Sequence, residues 1–209
     1  MGKIAHGPFG GVSGAVGNVV GSSWMGIHYF RIRSAHHHDP KTETQINQRN
    51  RFKGIVLLSN LLREDLINPI WRHMAVRMTP TNLFIRANMQ AFDQDGKIGD
   101  YSLLKVSVGS LPLPFNMSIK ASEDSRLLDV TWGKLMKPIV SRNNDKLNLF
   151  IMMGGDMVII PDLDATRSDL KASVAVPYKT GDTIQVYAFF SSPDGEAYSE
   201  SFHSVVTLN

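Results

Sequence analysis

Between Gly10 and Gly21 a glycine recurs every third or fourth residue, through Gly14 and Gly17, in a stretch otherwise rich in valine. Glycine in a helix interior costs about 1 kcal/mol relative to alanine, so this spacing excludes a regular helix there. A solvated linker is excluded too, because Ile4, Phe9, Val12, Val16, Val19, Val20, Trp24, Ile27, Tyr29 and Phe30 are too much apolar surface to leave in water. Residues 1–38 are therefore expected to form an extended arm whose backbone presses closely against another surface. Phe9, Val12, Val16, Val19, Val20, Trp24, Tyr29 and Phe30 are the side chains expected to fill pockets there. A neighbouring subunit is the surface in view, which makes an oligomer the expected state.

The glycines do not match a phosphate cradle. No lysine followed by serine or threonine comes after them, and the chain offers no strand ahead of them for a dinucleotide fingerprint. No cofactor is expected. The 209 residues contain no cysteine, which removes disulfides, thiolate metal sites and cysteine nucleophiles together. No apolar run reaches the length of a membrane span or a secretory leader, so a protein made in the cytoplasm, with no membrane partner, is expected.

Charge is uneven. Through Lys105 there are 13 basic against 7 acidic residues, and beyond it 9 against 12. Arg31, Arg33, Arg49, Arg51, Arg72 and Arg77 form a candidate basic surface for a nucleic acid or an acidic protein, with Trp24, Tyr29 and Phe30 available to stack on bases. Against that, no run of consecutive basic residues occurs. His36, His37 and His38 beside Asp39 suggest a metal, yet neighbours in an extended chain point to alternate sides and cannot all reach one ion. No metal site is assigned.

Helical spacing begins after Pro40. Asp39 or Thr42 can cap, and Ile46, Phe52, Val56 and Leu61 make the expected buried stripe of a helix running to about Glu64. Pro69 should break or restart it before Ile70–Met78, and Thr79-Pro80 should open a further helix ending near Phe92. Asp93-Gln94-Asp95-Gly96 lacks the final glutamate of a calcium loop and reads as a turn. With a closing strand at Leu103–Val108, residues 39–110 form the expected helical region.

From residue 111 to 209 the pattern is that of an antiparallel β-sandwich. Seven short strands are expected: Phe115–Lys120, Leu127–Trp132, Lys146–Met153, Met157–Ile160, Leu170–Val176, Thr183–Phe190 and Ala197–Leu208. Turn signals such as Asn143-Asn144-Asp145 and Thr180-Gly181-Asp182 separate them. Leu128, Val130 and Trp132 alternate inward. The fold class is thus α+β.

Several of these residues also carry a resemblance. MGKI at the start, GGxSGxVGxVVGxxW, Pro40-Lys41-Thr42 followed by Gln45, Gln48, Arg49 and Phe52, and Ser107–Leu111 together resemble an uncharacterised domain family of Bacteroidota, often prophage-associated. That resemblance implies no activity, catalytic residue or cofactor. The family usually has lysine where Ala15 and Met25 stand, so the arm of this member carries less charge. Leu128–Trp132 and Val186–Phe190 resemble strands of fibronectin type III and immunoglobulin-like modules.

Catalysis needs a nucleophile or base held beside an orienting group. His203, Ser201 and Ser204 share a strand, but alternation puts immediate neighbours on opposite faces, and no glycine-flanked nucleophile serine occurs. The expected role is therefore a non-enzymatic structural or assembly protein of phage or prophage origin, its partners being copies of itself or other virion proteins. Nucleic-acid binding through the basic half, and adhesion to a cell surface or carbohydrate through the sandwich, are the alternatives.

Overall fold

Alternating branched and small residues build the first strands. In the computed structural model β1 (Lys3–Ile4), β2 (Val12–Val16), β3 (Val19–Trp24) and β4 (Ile27–Ile32) pair antiparallel in chain order. The described residues are 3–4, 11–34, 39–122, 127–135, 142–154, 156–160, 163–179 and 181–208. Two hairpin turns set the register. Gly17 takes φ of 58°, and at the second turn Met25 and Gly26 are both left-handed, with φ of 45° and 80°. Primed turns of this kind match the twist of the strands they join. The expected extended arm is thus a β-meander.

The chain divides into two compact units, residues 1–46 and 47–209. The boundary falls in the first turn of α1 (Glu43–Leu61), which Thr42 opens by accepting the Gln45 amide at 3.4 Å. The buried arc of α1 differs from the expected one. Ile55, Leu58 and Ser59 are buried, and Leu62 continues the stripe, whereas Ile46, Phe52 and Leu61 are exposed. Apolar residues lie on most sides of this helix, so spacing alone did not single out the face that packs.

Pro69 does not end the helical path. It lies inside a π-helical segment, Arg63–Trp71, entered through an Ile67 amide that donates to the Leu62 carbonyl at 2.9 Å. In an α-helix the proline ring would strike the carbonyl four residues back; the wider π turn moves that carbonyl aside. The segment buries Leu66, Ile67, Ile70 and Trp71. The helix expected over Ile70–Met78 shrinks to a 3₁₀ turn at Arg72–Met74. Thr79 then caps α2 (Pro80–Asn88), its hydroxyl accepting the Asn82 amide at 3.2 Å. The Asp93 carboxylate closes the expected turn by accepting the amides of Asp95 and Lys97. That turn lies so close to α1 that a Cβ on Gly54 would collide with the Gly96 carbonyl.

Seven strands follow: β5 (Ser118–Ala121), β6 (Leu127–Thr131), β7 (Lys146–Met153), β8 (Asp156–Ile160), β9 (Lys171–Ala175), β10 (Thr183–Ser191) and β11 (Phe202–Thr207). They form two antiparallel sheets, β5-β6-β9 and β11-β10-β7-β8. Three antiparallel sheets plus helices make an α+β fold. Leu103–Val108, expected as a strand, forms no ladder, because side chains claim its backbone. The Asn88 amide group bonds both backbone groups of Lys105, Trp71 Nε1 donates to the Val106 carbonyl at 3.0 Å, and the Val106 amide donates to the Ser201 hydroxyl.

Both faces of β7 and β10 are covered. Leu147, Leu149 and Ile151, with Val186, Ala188 and Phe190, share one core with Leu128, Val130 and Trp132 of the smaller sheet. Phe150, Met152, Tyr187 and Phe189 point the other way and join Ile55, Leu66, Trp71 and Phe84 in a second core. The helices from residue 47 to 110 and the strands of 111–209 are therefore packed on one shared sheet.

A buried ion pair closes the first core. Arg167 meets the Asp145 carboxylate at 3.1 Å through both Nε and Nη2, and its guanidinium lies 4.4 Å over the Phe190 ring. Trp132 packs edge-on against Phe190 and donates Nε1–H to the Arg167 carbonyl at 3.0 Å. Burial pushes the Asp145 carboxyl above its ordinary value, and the charge of Arg167 opposes that rise.

Two outcomes test this core. Trp132→Ala should cost about 3–5 kcal/mol in denaturant melts, while exposed Thr131→Ala should stay within about 0.5 kcal/mol. Arg167→Met should cost about 3–5 kcal/mol at neutral pH, because it leaves the buried Asp145 charge with only the partly exposed Arg142, 3.9 Å away. A raised carboxyl pKa favours the folded state on protonation, so that variant should recover stability as the pH falls toward 4, roughly the unfolded carboxyl value. A variant equally unstable at both pH values would contradict the assignment.

Candidate assembly surface

The strand pairings assign every side chain of the first sheet to a face. Val12, Val16, Val19, Phe30 and Ile32 share one face with His28 and the facing pair Gly14 and Gly21. Val20, Trp24, Ile27, Tyr29 and Arg31 share the other. Among the described residues neither face forms a core. Among the described residues of this unit Gly21 alone is buried, and all six residues of β4 are exposed. Phe30 is 62% exposed, Ile32 80%, Trp24 52% and Val16 59%.

Of the arm residues singled out from sequence, Phe9 lies outside the described residues, as do His36, His37 and His38. Val12 and Val20 are half-buried; Val16, Val19, Trp24, Tyr29 and Phe30 are exposed. Sequence reasoning missed Ile32, among the described side chains the most exposed apolar residue of the sheet. The run of large side chains continuing to the end of IHYFRI was the signal for it.

β4 is also an edge. The Arg33 amide donates inward to the Asn18 carbonyl at 2.8 Å. Since backbone direction alternates in an antiparallel ladder, the amides and carbonyls of His28, Phe30 and Ile32 face away from β3. Edge strands carry unpaired backbone groups of this kind and are usually shielded by charge, proline or a bulge. Here the only charged side chain inside β4 is Arg31.

The basic residues are less concentrated. Arg31 and Arg33 follow each other on one face at the end of β4, with both side chains exposed. Arg49 and Arg51 are separated by about 200° around α1, so they cannot address one phosphate track together. Arg72 and Arg77 are exposed on the turns between the π-helical segment and α2, and Arg77 is left-handed with φ of 55°.

A second feature, in the larger unit, went unnoticed in the sequence. A cavity of about 570 Å³ opens between the end of α2, the connector after Asp100 and the start of β11. Arg86, Lys105 and His203 reach it from three different elements. His203 Nε2 bonds Gln185 Oε1 at 2.8 Å, and its ring packs on Tyr187 at 4.8 Å. Tyr187 in turn donates its hydroxyl to the Tyr101 carbonyl at 2.7 Å. Burial holds His203 below the ordinary imidazole value of 6.5, with the Asp100 charge opposing. Asp100 is itself held low by the hydroxyl and amide of Ser102.

The family model described as a family of unknown function (DUF6266) matches residues 11–204. The chain belongs to that family. No curated protein matches it. Three solved structures are similar over about half of it: a myokine structure (12% identity, TM-score 0.34, 47% of this chain and 98% of that one), the fibronectin type III domain of human fibronectin type III domain containing protein 3 (13%, 0.33, 49% and 90%), and a family 76 glycoside hydrolase from a bovine Bacteroides thetaiotaomicron strain (11%, 0.33, 46% and 20%). Likenesses this slight say nothing of function. Among the described residues no helix is long and apolar enough to cross a membrane, and no group of histidines and carboxylates has the arrangement of a metal site.

Because the folded state of this DUF6266 protein favours neutral His203, the unfolded chain binds the extra proton below about pH 6.5. The contribution of this histidine is present above that pH and lost on acidification. Urea midpoints measured at about pH 7.5 and about pH 5.5 should fall further for the wild type than for His203→Gln. Equal falls would show that His203 is not held neutral.

Proposed function

We propose that the protein is a non-catalytic assembly component whose N-terminal sheet docks on neighbouring subunits. The observation that carries this reading is a sheet of large apolar side chains whose described residues form no core on either face. Sheets of a few strands need a buried hydrophobic face to be stable in water, and exposed patches of this kind mark interaction surfaces. The open edge of β4 adds backbone groups that a partner strand can pair. A position in a phage or prophage particle is the setting we favour, on the motif resemblance described above.

In the larger unit, the strand orders β5-β6-β9 and β11-β10-β7-β8, with one core between them, support a fibronectin type III-like sandwich. Its outer face on β7 and β10 is occupied by the helices, which leaves less sheet surface for an adhesive ligand. Nucleic-acid binding has weaker support, since Arg49 and Arg51 diverge around α1, and Arg31 with Arg33 at the end of β4 sit on a different element from Arg72 and Arg77.

The test uses the full chain. Phe30→Asp and Ile32→Asp alter only exposed side chains, so the larger unit should melt unchanged. Burying a side chain of this size contributes about 1.5–3 kcal/mol, so each variant should weaken self-association by about tenfold or more in light scattering or sedimentation. A wild-type protein that stays monomeric, or an oligomer indifferent to both substitutions, would sink the proposal.

A further inference from the structure

Independently of the assembly surface, the cavity beside His203 has the makings of a ligand site. Its size lies within the range usual for small-molecule pockets, roughly 300–1,000 Å³. The backbone around it is fixed. Asn88 grips Lys105 by accepting its backbone N–H on Oδ1 at 2.6 Å and donating Nδ2–H to its carbonyl at 3.0 Å, while the Ser107 hydroxyl donates to the Ser199 carbonyl at 2.7 Å. These bonds tie together the three elements that line it.

Charge gives the ligand class. Arg86 and Lys105 both line the cavity, and among the described residues no ion pair engages either. Glu200, at the same cavity, is likewise unpaired. With His203 neutral, the lining carries one surplus positive charge, which suits a monoanion better than a dianionic phosphate. The Ser201 hydroxyl accepts the Val106 amide, so its own proton remains available to an acceptor in the cavity. Leu103, Leu113 and Phe202 supply an apolar wall.

The geometry points to a binding site for a small amphipathic monocarboxylate, its carboxylate held between Arg86 and Lys105 and its hydrocarbon body laid against Leu103 and Phe202. Planar arginine forks suit carboxylates, and hydrogen bonds to a charged acceptor are stronger than neutral ones. The apolar wall separates such a ligand from a bare inorganic anion, and the cations separate it from an alcohol of equal length.

The probes are hexanoate and phenylacetate, titrated into the full chain and followed by amide chemical shifts. Saturable shifts confined to residues around Arg86, Lys105 and Ser201 are expected, at affinities on the order of millimolar or tighter. Hexanol and acetate, each lacking one half of the recognition, should bind about tenfold more weakly or worse. The double variant Arg86→Gln, Lys105→Gln removes two exposed charges and should lose about tenfold or more in affinity at an unchanged melting temperature. Leu103→Ser should weaken hexanoate while leaving acetate unaltered. The inference is overturned if neither carboxylate shifts these residues, if hexanol binds as well as hexanoate, or if the double variant binds hexanoate as the wild type does.

Discussion

Two strands, β7 and β10, hold the larger unit together because each is buried on both faces. Seven ladder pairings join them, from Gln185 opposite Met152 to Ser191 opposite Lys146. One face meets the smaller sheet through Leu149, Val186 and Phe190; the other meets the helices through Phe150, Tyr187 and Phe189. A sheet covered on both sides excludes water from its central ladder, and everything packed on it inherits its register. The π-helical segment, α2 and the connector through Val106 are all placed by the need to cover the second face. Trp71 links these parts: it is fully buried, packs edge-on against Phe84 at 5.2 Å, and fixes the connector through the Val106 carbonyl.

The first unit lacks such an arrangement. Its strands are well paired, but Phe30, Ile32, Trp24 and Ile27 remain in contact with solvent, and among its described residues the only buried position is a glycine. The contrast within one chain locates the interaction surface in the proposed reading. In that reading stability resides where both faces are covered, and association is proposed for the part whose described residues form no core. The cavity beside His203 lies in the stable part, where Asn88 fixes the backbone that carries Lys105.

Much of the strand layout was legible in advance. β7 spans Lys146–Met153 as its apolar run predicts, and Thr79-Pro80 opens α2 as its capping chemistry predicts. The inward alternation of Leu128, Val130 and Trp132 holds as well. The failures have definite causes. Spacing placed Phe52 and Leu61 in the core, but a helix apolar on most sides gives no unique face, and the sheet selected Ile55 and Leu58 instead. Leu103–Val108 has strand-like alternation, yet Asn88, Trp71 and Ser201 bond its backbone from distant parts of the chain. Glycine periodicity correctly excluded a helix at the start, but it did not reveal the four-stranded meander, because Met25 is not an obvious residue for a left-handed turn position.

By itself the sequence determined local matters: where strands run, where helices begin, and that the first thirty residues carry more apolar surface than glycine-rich chain can hide. These depend on neighbours in the chain, through side-chain alternation, capping and turn preferences. Only the tertiary structure decided which side of α1 is buried, how Pro69 is accommodated, that Arg167 and Asp145 pair inside the core, and that Arg86, Lys105 and His203 meet at one cavity. Those outcomes depend on pairs of groups far apart in the chain, such as Val106 with Ser201 and Trp71 with Val106. No local pattern encodes the distance between them.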